Sequence, residues 1–155
     1  MVDVQKKYLY QSLRILIPGL LIISCVMVAH AQKQGIQGEV FWLSGNQMPG
    51  PGHVSSPQQG IVREVYIYKI TRMQDVEQTN NFFTNIKTEL VTQTFSKTDG
   101  SFKVKLLPGE YSVFVKEPNG LFANLFDGEG RINPVVVKPK KYSWITITVD
   151  YEAVY

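Results

Sequence analysis

From residue 35 onward, apolar side chains recur at every second position in short runs. Ile36, Val40 and Trp42 fall on one face of a first run, with Gln37, Glu39 and Phe41 opposite. Val65 and Ile67 alternate with Tyr66 and Tyr68 in a second. Alternation is strict in Phe102-Lys103-Val104-Lys105-Leu106 and in Tyr111-Ser112-Val113-Phe114-Val115-Lys116. Near the end, Ile145, Ile147, Val149 and Tyr151 point one way, and Thr146, Thr148 and Asp150 the other. A period of two among β-branched and aromatic residues marks half-buried strands. Leu90 to Phe95 and Pro134 to Lys138 add weaker segments, giving about seven strands in all. No segment longer than a turn or two repeats at helical spacing.

Turn residues separate these runs. Thr98-Asp99-Gly100-Ser101 puts Asp-Gly between two strands, where glycine supplies the positive φ of a tight hairpin. Leu107-Pro108-Gly109-Glu110 has proline and glycine at the central positions of a type II turn. Pro118-Asn119-Gly120 closes the next strand. Short strands with frequent turns predict an all-β fold, a roughly seven-stranded antiparallel sandwich of two packed sheets. Two stretches break the rhythm. Ser44 to Gly60 is rich in Gly, Pro, Gln and Ser, and Thr71 to Thr88 is polar with Phe82-Phe83 embedded in it. Connections of that length are functional or mobile. Paired phenylalanines are costly to leave in water, so Phe82 and Phe83 are either core residues or the covered part of a contact site. They are the candidate binding residues of the sequence.

The first 31 residues have a different layout. Lys6, Lys7 and Arg14 precede a continuously uncharged, mostly apolar stretch from Ile15 to Ala29, and Ala29-His30-Ala31 offers the small residues a signal peptidase requires. That stretch is shorter than the ~20 residues a spanning helix needs, and Pro18 and Gly19 weaken it further. The expectation is a signal helix over residues 1–31, cut after Ala31, followed by one domain over residues 32–155 with no membrane span. Ile22-Ile23-Ser24-Cys25 also has the residue types of a lipoprotein box, although Val26 to Ala29 continue the apolar run beyond it. The alternative is therefore a lipid anchor on Cys25. Cleavage after Ala31 would leave no cysteine for a disulfide or a thiolate ligand.

Composition narrows the function classes. The 155 residues are 44% hydrophobic, enough for a packed core. The formal charge of +3 includes the signal segment, and without it 13 basic residues face 12 acidic ones. A chain this close to neutral lacks the dense basic field that selects nucleic acid.

One region carries a likeness. Thr98-Asp99-Gly100-Ser101-Phe102, followed by Leu107-Pro108-Gly109-Glu110-Tyr111 and the strand Ser112 to Val115, resembles the carboxypeptidase regulatory-like domain. Gly38-Glu39-Val40 and Val65-Tyr66-Ile67 fit that family's preceding strands, so the resemblance extends over Gly35 to Tyr151. It implies a transthyretin-like (prealbumin-like) β-sandwich, related to the Ig-like sandwiches in architecture. The single-domain exported proteins of this type in Gram-negative bacteria end in a segment similar to Phe122-Ala123-Asn124 through Asn133-Pro134. The resemblance implies a non-catalytic accessory module, periplasmic or on the cell surface. Its partner would be an envelope protein or a glycan. The two long insertions depart from the plainest family pattern.

Catalytic and metal chemistry find little support in the residues. After the signal segment only His53 remains to act as a base, in a Gly/Pro-rich loop. Ser55 and Ser56 are near it in sequence, but nothing resembles a nucleophile elbow. A small hydrolase using His53 and a nearby serine is the alternative function. A zinc site wants three or four Cys, His or carboxylate ligands, which these counts do not supply. Asp127-Gly128-Glu129-Gly130 presents two carboxylates where calcium needs six to eight oxygens. The sequence thus predicts no catalytic residue, no metal and no cofactor. Trp42, Phe122, Phe126 and Trp144 join Phe82 and Phe83 as aromatics able to fill a core or form a stacking surface. Lys138-Pro139-Lys140-Lys141 reads as a solvated turn.

Overall fold

The first apolar run becomes the long strand β1 (Gly35–Asn46), with Ile36 and Val40 fully buried at alternate positions. The computed structural model describes residues 33–48 and 58–155, and Lys33–Tyr155 form one compact unit. Apart from a 3-10 turn at Met73–Asp75, every regular element among the described residues is a strand. After β1 come β2 (Gln59–Gly60), β3 (Glu64–Lys69), β4 (Glu77–Thr79), β5 (Phe82–Thr84) and β6 (Leu90–Phe95). They are followed by β7 (Ser101–Lys105), β8 (Gly109–Glu117), β9 (Gly120–Phe122), β10 (Pro134–Val137) and β11 (Tyr142–Val154). The segment expected to be a signal helix, together with Cys25, His53, Ser55 and Ser56, lies outside the described residues.

The strands form two sheets. In the first, β1 has β11 on one side and β7 and β2, end to end, on the other. The second, seven-stranded and antiparallel, runs β4-β5-β9-β8-β3-β6, with β10 beside the first half of β8. Ile36, Val40, Ile145 and Ile147 from the first sheet pack with Val65, Ile67, Val113 and Val115 from the second. These are the inward positions of the alternating runs, each worth roughly 1.5–3 kcal/mol when removed from water. The architecture is the expected β-sandwich.

Pairing direction differs from expectation at one place. β1 and β11 run parallel, in register from Gly35↔Tyr142 to Trp42↔Val149, with a bulge before Ser44↔Glu152. Alternation sets which face of a strand is buried but not which way its neighbour runs. The Asp-Gly turn forms as its residues demand. Gly100 has φ +84°, and Asp99 accepts the Ser101 amide at 2.9 Å. The turn lies tightly against β1, with the Val40 amide donating to the Gly100 carbonyl, and a Cβ on Gly100 would sit 2.3 Å from the Val40 oxygen. The type II turn at Leu107-Pro108-Gly109-Glu110 does not form, because Gly109 stays out of the left-handed region and already begins β8. The Tyr111 hydroxyl closes this connection instead, donating to the Leu107 carbonyl at 2.9 Å.

The polar stretch Thr71 to Thr88 is a folded hairpin rather than an open connection. Thr79 pairs with Phe82 around Asn80-Asn81, and Asn80 takes the left-handed conformation that asparagine tolerates. Asn85, also left-handed, donates to the Glu77 carboxylate at 2.7 Å and fixes the base. The hairpin extends the second sheet through β5 and β9. Its two phenylalanines therefore point to opposite faces. Phe82 enters the inter-sheet core, 8% exposed, and Phe83 enters a second cluster with Phe114, Leu121, Ala123 and Ile132, 1% exposed. That second cluster explains why Phe114, on the outward face of β8, is as buried as Val113 and Val115, while Ser112 on the same face accepts the Thr71 amide at 2.9 Å.

Candidate functional site

Three separate pieces of chain meet at the end of the sandwich where β11 finishes. The β4–β5 hairpin brings Gln78 and Asn81, the chain leaving β9 brings Asn124 and Phe126, and the end of β11 brings Asp150 and Tyr155. Between them lies a recess of about 350 Å³, floored by Phe122 and Tyr151. The Asn124 side-chain amide donates to the Thr148 carbonyl at 2.9 Å and approaches Asp150 Oδ1 at 3.4 Å, pinning this loop to β11. The Tyr155 hydroxyl donates to Asp150 Oδ2 at 2.9 Å, and that bond raises the phenol's pKa above its usual value. Each Asp150 oxygen thus has one donor and keeps acceptor capacity toward the recess. Gln78 donates to the Asn80 carbonyl at 2.8 Å, which leaves its side-chain oxygen for other partners. Among the described residues the lining contains one side-chain carboxylate and no lysine or arginine.

The floor is held from below. Tyr151 meets Phe82, Trp42 and Phe122 with ring centroids 4.9, 5.3 and 5.8 Å away. Its hydroxyl donates to Glu117 Oε2 at 3.0 Å, while Arg63 Nε donates to Glu117 Oε1 at 2.7 Å. The Glu117 side chain is wholly buried, so these two donors satisfy a charge that water cannot reach. Burial and the Glu117 hydrogen bond push the Tyr151 phenol up to about 12. Tyr151 is a fixed platform.

Of the residues singled out in the sequence, the aromatics Phe122 and Phe126 line this recess, while the others fall elsewhere. Phe82 and Phe83, candidates for either the core or a contact site, are interior side chains: a two-residue turn folds the polar stretch back and both rings fill clusters. Phe126, about half exposed, stands at the rim of the recess. In the acidic turn, Asp127 Oδ1 accepts the amides of Glu129 and Arg131, while the Arg131 guanidinium binds both carboxylates. Although burial alone would raise Asp127, Arg131 holds its carboxyl below the usual range. Among the described residues no group of three metal-ligating side chains converges. Lys140 sits in a left-handed turn, its amide bound to Gln34 at 2.9 Å. Asp150, Asn124, Gln78 and Asn81 escape sequence reasoning because each is an ordinary polar residue until three distant segments meet.

Two other depressions lie among the described residues. One, of about 290 Å³, runs along Tyr66 and Tyr68 on the outer face of the second sheet. The other, of about 460 Å³, follows β10 and the free edge of β11, beside the exposed side chains of Trp144, Val136 and Leu125. The Trp144 indole donates to Thr146 Oγ1 at 3.1 Å, which lays it along the strand. The chain matches no family model, no curated protein and no solved structure.

Proposed function

We propose that the protein is a non-catalytic binding module of the bacterial cell envelope, exported by its first 31 residues and acting through contact with an envelope protein or glycan. The observation that carries this reading is the recess at the end of β11. Its side chains converge from three segments, keep unused hydrogen-bonding capacity and rest on a rigid aromatic floor. Convergent polar groups in a preformed recess are what a recognition site needs. The apolar groove beside Trp144 is larger but offers few polar groups to fix an orientation. The turn motifs at Asp99-Gly100 and Leu107 to Tyr111 support a place among carboxypeptidase regulatory-like modules, in which contact rather than chemistry is the role.

The test is retention of the purified protein on two immobilised fractions, detergent-solubilised envelope proteins and envelope polysaccharide. The wild type should be held by one of them. The double variant Asp150→Asn with Asn81→Ala should elute freely while melting like the wild type. Equal retention of the two proteins, or none for the wild type, contradicts the proposal.

A further inference from the structure

The recess also restricts the chemistry of what enters it. Its donors and acceptors are the carboxylate of Asp150, the amides of Asn124, Gln78 and Asn81, and the Tyr155 hydroxyl. Among the described residues no cation lines it, so an anionic ligand would bring its charge up to Asp150 with no partner there to neutralise it. A purely apolar ligand would strip water from these groups and return no hydrogen bonds. A ligand with several neutral hydroxyls suits them, because each hydroxyl donates to a carboxylate or amide oxygen and accepts from an amide N–H. Phe126, half exposed at the rim, adds a flat apolar surface against which the C–H face of a ring can lie. A volume of about 350 Å³ is at the small end of ligand recesses, which run from ~300 to 1,000 Å³.

We infer that this recess binds a neutral sugar residue, with Asp150 and Asn124 taking adjacent hydroxyls, Asn81 and Gln78 closing the opposite side, and Phe126 covering the ring face. The inference rests on the binding-module reading above and names the ligand class of that same recess. A quaternary ammonium is the competing guest, since a carboxylate beside aromatic rings attracts cations. Two features weigh against it. A quaternary ammonium group offers no hydrogen-bond donor or acceptor, so it would leave the amides of Asn81, Gln78 and Asn124 without partners, and Phe122, only 1% exposed, adds no ring face to those of Phe126 and Tyr155.

The experiment is a nuclear magnetic resonance titration of the full mature chain. The probes are the methyl glycosides of mannose, galactose and glucose, N-acetylglucosamine, and choline chloride. At least one sugar should shift the backbone amides of residues 122–126 and 150–155, and choline should not. Asp150→Asn should weaken that sugar by about tenfold or more, as loss of a hydrogen bond to a charged group implies. Asn81→Ala, at the exposed hairpin tip, should weaken it with the rest of the spectrum unchanged. The inference is overturned if no sugar moves these amides, if choline alone does, or if sugar shifts survive both substitutions. When sugars fail but the double variant still loses its envelope fraction, only the ligand class is wrong. When that fraction is also retained, the contact reading falls with it.

Discussion

Phe82 and Phe83 give the strongest handle on the fold, because neighbouring residues anchor the two separate clusters. Phe83→Ala removes a ring that is 1% exposed and lies 5.8 Å from Phe114 and 6.3 Å from Phe126, centroid to centroid. Truncating a buried phenylalanine costs about 3–5 kcal/mol from lost transfer and the cavity left behind. The edge-to-face contact with Phe114 places Phe83 in the upper part of that range. Phe82→Ala loses contacts with Tyr151 at 4.9 Å and Phe122 at 6.3 Å, and its slightly greater exposure places it at about 3 kcal/mol. Both rings anchor the same three-residue strand, so their losses couple rather than simply add, and the double variant should lose more than the larger single loss of about 4–5 kcal/mol. A domain of this size holds about 5–15 kcal/mol in total, so the double variant should be close to unfolded. Urea unfolding followed by circular dichroism measures each single loss, with hydrogen exchange showing whether β4–β5 detaches alone. A midpoint unchanged in either single variant would mean that its ring is not buried, and the packing described here would be wrong.

Three other substitutions probe different links. Gly100→Ala forces a positive φ on alanine and drives its Cβ against the Val40 carbonyl, so it should cost about 2 kcal/mol or more in urea unfolding; a gain in stability would contradict the turn geometry. Val113→Asp buries an unpaired carboxylate in the inter-sheet core and should cost on the order of 3 kcal/mol or more, read as a large fall in Tm. Tyr151 has a folded-state pKa raised from 10 to about 12, so its contribution is intact below pH 10 and lost as pH rises through about 12. Stability should therefore decline across that window, and Tyr151→Phe should flatten the decline; identical alkaline profiles would remove Tyr151 from the Glu117 network.

The sandwich was legible because its signal is local. Val65 and Ile67, Val113 and Val115, or Ile145 and Ile147 each declare a buried face by spacing alone, and Asp99-Gly100 declares its turn by backbone preference. The parallel contact of β1 with β11 joins residues more than a hundred positions apart, and nothing local encodes its direction. Phe82 and Phe83 were ambiguous for a related reason. Polar neighbours suggested exposure, but in a strand each neighbour faces the other way, and here both faces are covered. Phe122 and Phe126 are recess residues that the sequence offers only as aromatics able to fill a core or form a surface. Asp150 looked like the solvent side of an alternating strand, which it is until Asn124 and Tyr155 close around it.

The central claim is that the end of the sandwich near Asp150 is where a partner sits, and photocrosslinking in living cells tests it directly. A benzophenone side chain placed at position 81 would stand at the recess. At position 140 it would occupy the turn before β11, with the strand from Tyr142 to Asp150, about 26 Å of chain, between it and the near side of the recess. Benzophenone captures C–H bonds of proteins and sugars alike, and adducts appear as a mobility shift of the protein. Adducts are expected from position 81 and not from position 140; adducts from position 140 with none from position 81 would mean that the partner sits at the other end of the sandwich.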